Sequence, residues 1–164
     1  LAAPAPADLK AAFLCRFMEY ITWPESDTTT NGLTIGVFDY PAFRDALSEE
    51  PPPALVNGRP VTFVPAPTPE SGRTCTVVYL NTAERAPVED YLAGLAGAPV
   101  LTVSDVRGGS RVGVAITFIL VQDKVRFVIN REAAEAVGLD ISARLLRLGR
   151  VVGSSTNMEE GVAP

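Results

Sequence analysis

Cys15 and Cys75 are the strongest nucleophiles in a 164-residue chain that contains no histidine. The missing imidazole removes the usual general base near neutral pH, the Ser-His and Cys-His dyads and the commonest zinc ligand. A cysteine becomes reactive beside a cation or at a helix N-terminus. Cys15 falls in the middle of a helical pattern and Cys75 at the start of a strand pattern, and neither position marks its thiol as activated. There is no C-x-x-C and no second cysteine pair to complete a four-ligand metal site, so at most one disulfide forms. Three readings stay open: two small buried apolar side chains, a Cys15–Cys75 disulfide, or a reactive thiol.

The carboxylates are scattered, and no two stand at a spacing that makes an acid/base couple. Gly108-Gly109-Ser110-Arg111-Val112-Gly113 is glycine-rich but lacks Lys-Ser/Thr and precedes a strand, which argues against a phosphate cradle. Polar residues follow three strand patterns: Asp39 and Tyr40, Asn81 and Thr82, Ser104 and Asp105. At the carboxyl ends of parallel strands, Asp39, Asn81, Ser104 and Asp105 would line a ligand crevice, although such residues also serve as ordinary turns and helix caps. Arg144, Arg147 and Arg150 recur every three residues, forming a solvated face or a guanidinium row for a partner's carboxylates. No catalytic residue, metal site or cofactor is expected.

These residues need elements to position them. Leu9, Phe13, Phe17 and Tyr20 give the helical period over Asp8 to Ile21, and Trp23-Pro24 ends it. Ala11, Leu14, Cys15 and Met18 make that helix apolar on a second side, so it is either buried on two sides or meets a partner. After a polar loop from Ser26 to Gly32, Leu33 to Phe38 reads as a strand and Pro41 to Ser48 as a helix. Proline clusters at 51–53 and 65–69 read as stiff surface loops around a strand, Val61 to Val64. Thr76 to Leu80, a helix over Val88 to Ala96, and Val100 to Val103 continue a strand-helix-strand alternation.

That alternation predicts a single α/β domain over 8–152, with a mostly parallel sheet and helices on both faces. Only Gln122-Asp123 separates the strand 114–121 from the strand 124–130, which predicts an antiparallel hairpin at one edge of the sheet. Asn130 is placed to cap a helix ending at Gly138, and Ser142 to cap a last helix whose Leu145, Leu148 and Val152 face the core. Residues 1–7 and 153–164 are expected to be flexible ends.

Hydrophobic residues make up 47% of the chain and charged residues 20%, which excludes collagen-like, coiled-coil and disordered classes. The net charge of −5 offers no basic surplus for nucleic acid. The longest apolar run, Val112 to Val121, is about half of the roughly twenty residues a membrane span needs. Leu1-Ala2-Ala3-Pro4-Ala5-Pro6-Ala7 has the small-residue character of an end left by signal cleavage, from which we expect an exported protein.

Several segments together resemble the YfiR-like family of bacterial periplasmic proteins. They are Lys10 to Pro24 with its terminal Trp23-Pro24, Ile35-Gly36-Val37, Gly58-Arg59-Pro60-Val61, Cys75 to Leu80 and Pro99 to Asp105. The most specific series is Gly113, Ile116-Thr117-Phe118, Val125 to Asn130, Gly138-Leu139, Ile141-Ser142 and Leu145 to Leu148. The resemblance implies periplasmic location and regulation by protein contact, as in repression of a membrane-bound diguanylate cyclase that makes cyclic-di-GMP. It brings no enzymatic activity. The chain departs from the family in having Cys15 where an aromatic residue is common, and no cysteine between Val106 and Val112, where some members carry one.

The leading expectation is therefore a non-catalytic periplasmic regulator. It would bind the periplasmic domain of a membrane diguanylate cyclase or sensor kinase through Ala11, Leu14 and Met18, and through Arg144, Arg147 and Arg150. It would be a homodimer or a monomer. The alternative is a small-ligand module using the crevice at Asp39, Asn81, Ser104 and Asp105.

Overall fold

A computed structural model describes residues 6–23, 33–47, 54–56, 58–95 and 97–152. The loop at 26–32, the prolines at 51–53 and the tail from 153 lie outside the described residues, as do residues 1–5. The elements are α1 (Pro6–Glu19), β1 (Ile21–Thr22), β2 (Leu33–Val37), α2 (Tyr40–Ala46), β3 (Ala54–Val56) and β4 (Arg59–Pro65). They continue with α3 (Pro69–Gly72), β5 (Val77–Leu80), α4 (Arg85–Leu95), β6 (Leu101–Ser104), α5 (Gly109–Val112) and β7 (Ile116–Val121). The last are β8 (Lys124–Asn130), α6 (Arg131–Ala136), β9 (Asp140–Ile141), α7 (Ala143–Leu148) and β10 (Arg150–Val152).

Eight strands form one sheet in the order β10-β8-β7-β6-β5-β2-β4-β3. The five from β4 to β7 are mutually parallel. β7 and β8 are the antiparallel hairpin, with Ile116 opposite Ile129 and Val121 opposite Lys124. The hairpin is not the edge that the sequence suggests. β10 lies outside β8, parallel to it, and β3 closes the other side antiparallel to β4. A separate two-stranded pair joins β1 to β9, fastening the end of α1 to the segment before α7.

Strand side chains alternate between faces, and that alternation divides the core in two. Val77 and Tyr79 enter one apolar cluster and Val78 and Leu80 the other. The first lies under α1, α2 and α7, where Phe13, Phe17, Phe118 and Phe127 pack with ring centroids 5.1 to 6.1 Å apart. The second lies under α4, with Val88, Tyr91 and Leu95 over the sheet and Tyr91 donating to the Ala66 carbonyl at 2.8 Å.

The helix starts follow local chemistry. Asp39, Asn130 and Ser142 accept from the backbone N–H groups of Ala42, Ala133 and Leu145, satisfying donors at the first turns of α2, α6 and α7.

Two expectations are corrected. Ala11, Leu14 and Met18 are core, at 8%, 0% and 3% exposure, because α1 lies on the sheet with β3 and α2 against it. They offer no docking face. The last helix does not run on to Val152, since α7 ends at Leu148 and the chain becomes β10. A Cβ on Gly149 would stand 2.6 Å from the Phe127 ring, so the chain crosses that ring only where it has no side chain. Leu148, expected in the core, is 64% exposed.

Candidate functional site

Three regions contain the residues that could bind something. The first is the carboxyl end of the parallel strands. The chain leaves β2 for β4 on one side and continues through β5, β6 and β7 on the other, so β2 and β5 flank a topological switch point. Open α/β sheets place ligands there. The expected crevice residues Asp39 and Asn81 do meet at this point, but they bind each other. Asn81 Oδ1 accepts from the Asp39 N–H at 2.8 Å, and its Nδ2 donates to the Asp39 carbonyl at 2.9 Å.

Ser104 is fully buried; its hydroxyl donates to the Leu80 carbonyl at 2.8 Å and accepts from the Val106 N–H at 3.0 Å. Asp105 accepts from the Tyr79 hydroxyl at 2.6 Å and pairs with Lys10 Nζ at 3.0 Å. Lys10 also stands 5.7 Å from the Phe118 ring centre, close enough for a cation–π contact. Burial, reinforced by the Asp105 charge and the hydrogen bond to it, pushes the Tyr79 phenol far above its usual range. The four expected crevice residues therefore cross-link strand ends and cap a helix. Lys10 and Tyr79, which sequence reasoning missed, complete the network and anchor α1 to β5 and β6.

The second region is the α7–β10 edge. Arg144 and Arg147 on α7 and Arg150 on β10 are all exposed, as the three-residue spacing suggests. Leu148 and Val151 of the same stretch are exposed too, the latter at 44%. The apolar members of this surface were missed because Leu148 and Val152 fit a continuing helical period.

The third region is a cleft of about 460 Å³ at the opposite end of the sheet. Leu92 and Leu95 of α4 form one wall and Ala133, Ala136 and Val137 the other, with Thr102 and Ala115 at the amino ends of β6 and β7. Small side chains leave this volume open. Nothing local in the sequence marks it, since α4 and the α6 region meet only through the folded sheet.

Cys15 and Cys75 are both free. Cys15 packs against the cluster under α1 and Cys75 belongs to the cluster on the opposite face, so the disulfide reading is corrected. Burial pushes both thiols up, Cys15 with a further contribution from the Glu19 charge, which works against a nucleophilic thiolate. Among the described residues, no group of three or more Cys, Asp or Glu could hold a metal ion. No helix among them is long and apolar enough to cross a membrane.

The fold and these contacts define a mixed α/β protein whose expected strand-end residues bond to other parts of the fold. The chain belongs to the YfiR/HmsC-like family, whose model matches residues 7–150. This is a family of periplasmic regulatory proteins and not generally of enzymes. No curated protein matches the sequence.

Among solved structures, a conserved domain protein from Vibrio cholerae O1 biovar El Tor aligns at 10% identity and a TM-score of 0.53. The ABC domain in complex with L-Trp from Streptococcus pneumoniae aligns at 12% identity and the same TM-score. Each alignment covers 90% of this chain but only 60% of the other, and likenesses this remote concern the fold alone.

Proposed function

We propose that the protein is a non-catalytic periplasmic regulator that binds the extracytoplasmic part of a membrane signalling protein. By the family resemblance, that partner is a membrane-bound diguanylate cyclase, which binding holds inactive so that cyclic-di-GMP falls; a sensor kinase is the other candidate. The observation that carries this reading is the α7–β10 edge, where Arg144, Arg147 and Arg150 and the aliphatic Leu148 and Val151 are all exposed in one short stretch of chain. Such a pairing of aliphatic side chains with guanidinium groups suits protein contact. Internal pairing of the polar strand ends supports the same view, since it leaves Asp39, Asn81, Ser104 and Asp105 committed to the fold.

Sedimentation of the protein alone, and mixed with the periplasmic domain of a cyclase or kinase encoded beside it, tests the reading. A stable mixed complex is expected, weakened by Arg147→Glu. A protein that forms no mixed complex with such a domain overturns it, whether it sediments as a monomer or as a homodimer.

A second reading is small-ligand binding, and the α4–α6 cleft is the observation that favours it. Its volume falls within the range of small-molecule sites, roughly 300–1,000 Å³. Ala133→Phe would fill the cleft and abolish ligand-induced thermal stabilisation without affecting the mixed complex.

A further inference from the structure

Among the described residues β10 is bonded on one side only, by β8, so its other side presents unpaired N–H and C=O groups. Paired residues of parallel strands share a face, and Val151 lies opposite Ile129, which belongs to the cluster under α1 and α7. The helix that ends at Leu148, α7, covers that same face through Leu145. Arg150, opposite Val128, points to the other face. The edge thus has an apolar side at Val151 and a cationic side at Arg150.

The charge here is unusual for this chain. No Asp or Glu occurs from Ile141 to Met158, so the three arginines give a local charge of +3 in a protein whose total is −5. None of the three is in an ion pair among the described residues. A second copy fits this edge poorly, because a two-fold contact would set the same arginines against each other. An extended segment with alternating carboxylate and aliphatic side chains fits both sides at once.

Resting on the regulator reading above, we infer that β10 receives an acidic, extended segment of the partner, which adds to the sheet as a ninth strand. Its carboxylates face Arg150, its aliphatic side chains cover Leu148 and Val151, and its backbone bonds to the edge of β10 that no described strand occupies.

The test uses the full chain and three probes: a heptapeptide alternating glutamate and valine, its lysine–valine counterpart, and the acidic peptide N-methylated at alternate amides. Amide hydrogen exchange read by NMR should slow at residues 150–152 with the first peptide alone. Its affinity should fall with added salt, and by roughly threefold to tenfold in Arg150→Glu, the scale of one exposed ion pair made repulsive. Equal binding of the basic or the N-methylated peptide overturns strand addition, as does no binding of the acidic one.

Two other occupants give their own signatures. Protection of β10 that rises with protein concentration assigns the edge to a second copy and overturns the proposal. Binding gained only when the chain ends at Val152 assigns the edge to residues 153–164 and overturns it too. A mixed complex with the periplasmic domain in which 150–152 exchange as in the free protein removes the strand addition and leaves the regulator reading. An acidic peptide on β10 without any mixed complex does the reverse.

Discussion

Asp105 shows how one side chain can look like a ligand group and serve the fold instead. It ends a parallel strand, where a carboxylate is easily taken for part of a crevice, yet it holds Tyr79 and Lys10 together. Asp105→Asn leaves a mostly buried ammonium without its counter-charge, and urea denaturation should show a loss of about 2 kcal/mol. The Tyr79 phenol adds a pH dependence with a defined sign. Its folded pKa is raised, so its contribution is complete below the unfolded value near pH 10 and is lost as pH rises above it. Stability should fall by about 1.4 kcal/mol per pH unit per tyrosine. Tyr91, pushed up mainly by burial to about 12, adds the same sign between pH 10 and 12. Thermal melts from pH 9 to 11.5 should show a shallower decline in Tyr79→Phe; an unchanged decline would mean that the phenol ionises freely in the folded protein.

At the scale of elements, α1 was readable as a helix apolar on two sides, but not as one covered on both. Because Leu14 and Met18 are core, Leu14→Asp/Met18→Asp should abolish the cooperative unfolding transition, and Leu14→Ala should cost about 2–5 kcal/mol. Circular dichroism with urea measures both; a double variant that keeps a native transition would place these residues on the surface after all. The β7–β8 hairpin was legible because two residues between β-branched runs leave few alternatives. Its turn residues Gln122 and Asp123 have φ of 53° and 67°, a left-handed pair that favours Asn-Gly. Gln122→Asn/Asp123→Gly should therefore raise the unfolding free energy by roughly 1 kcal/mol, and a lower melting temperature would contradict the turn geometry. β10 was misread because Leu145, Leu148 and Val152 keep a helical period, and the contact between Gly149 and Phe127 that breaks it spans the sheet.

For the whole molecule, the sheet separates the two thiols, so reduction should leave the melting temperature of the monomer unchanged. A drop on adding a reductant, measured by scanning calorimetry, would show that they are bonded. By itself the sequence determined the strand-helix alternation, the hairpin, the caps at Asn130 and Ser142 and the family pattern that spans nearly the whole chain. Each of these is encoded by backbone preference, periodicity or hydrogen bonds among residues a few positions apart. Only the tertiary structure decided which sides of α1 are buried, that Lys10 and Tyr79 find Asp105, that Asp39 and Asn81 close the switch point, that β10 is an edge and that a cleft opens beside α6. Those outcomes depend on which surfaces meet across dozens of residues, where strand order and packing volume select among contacts that local sequence leaves equal.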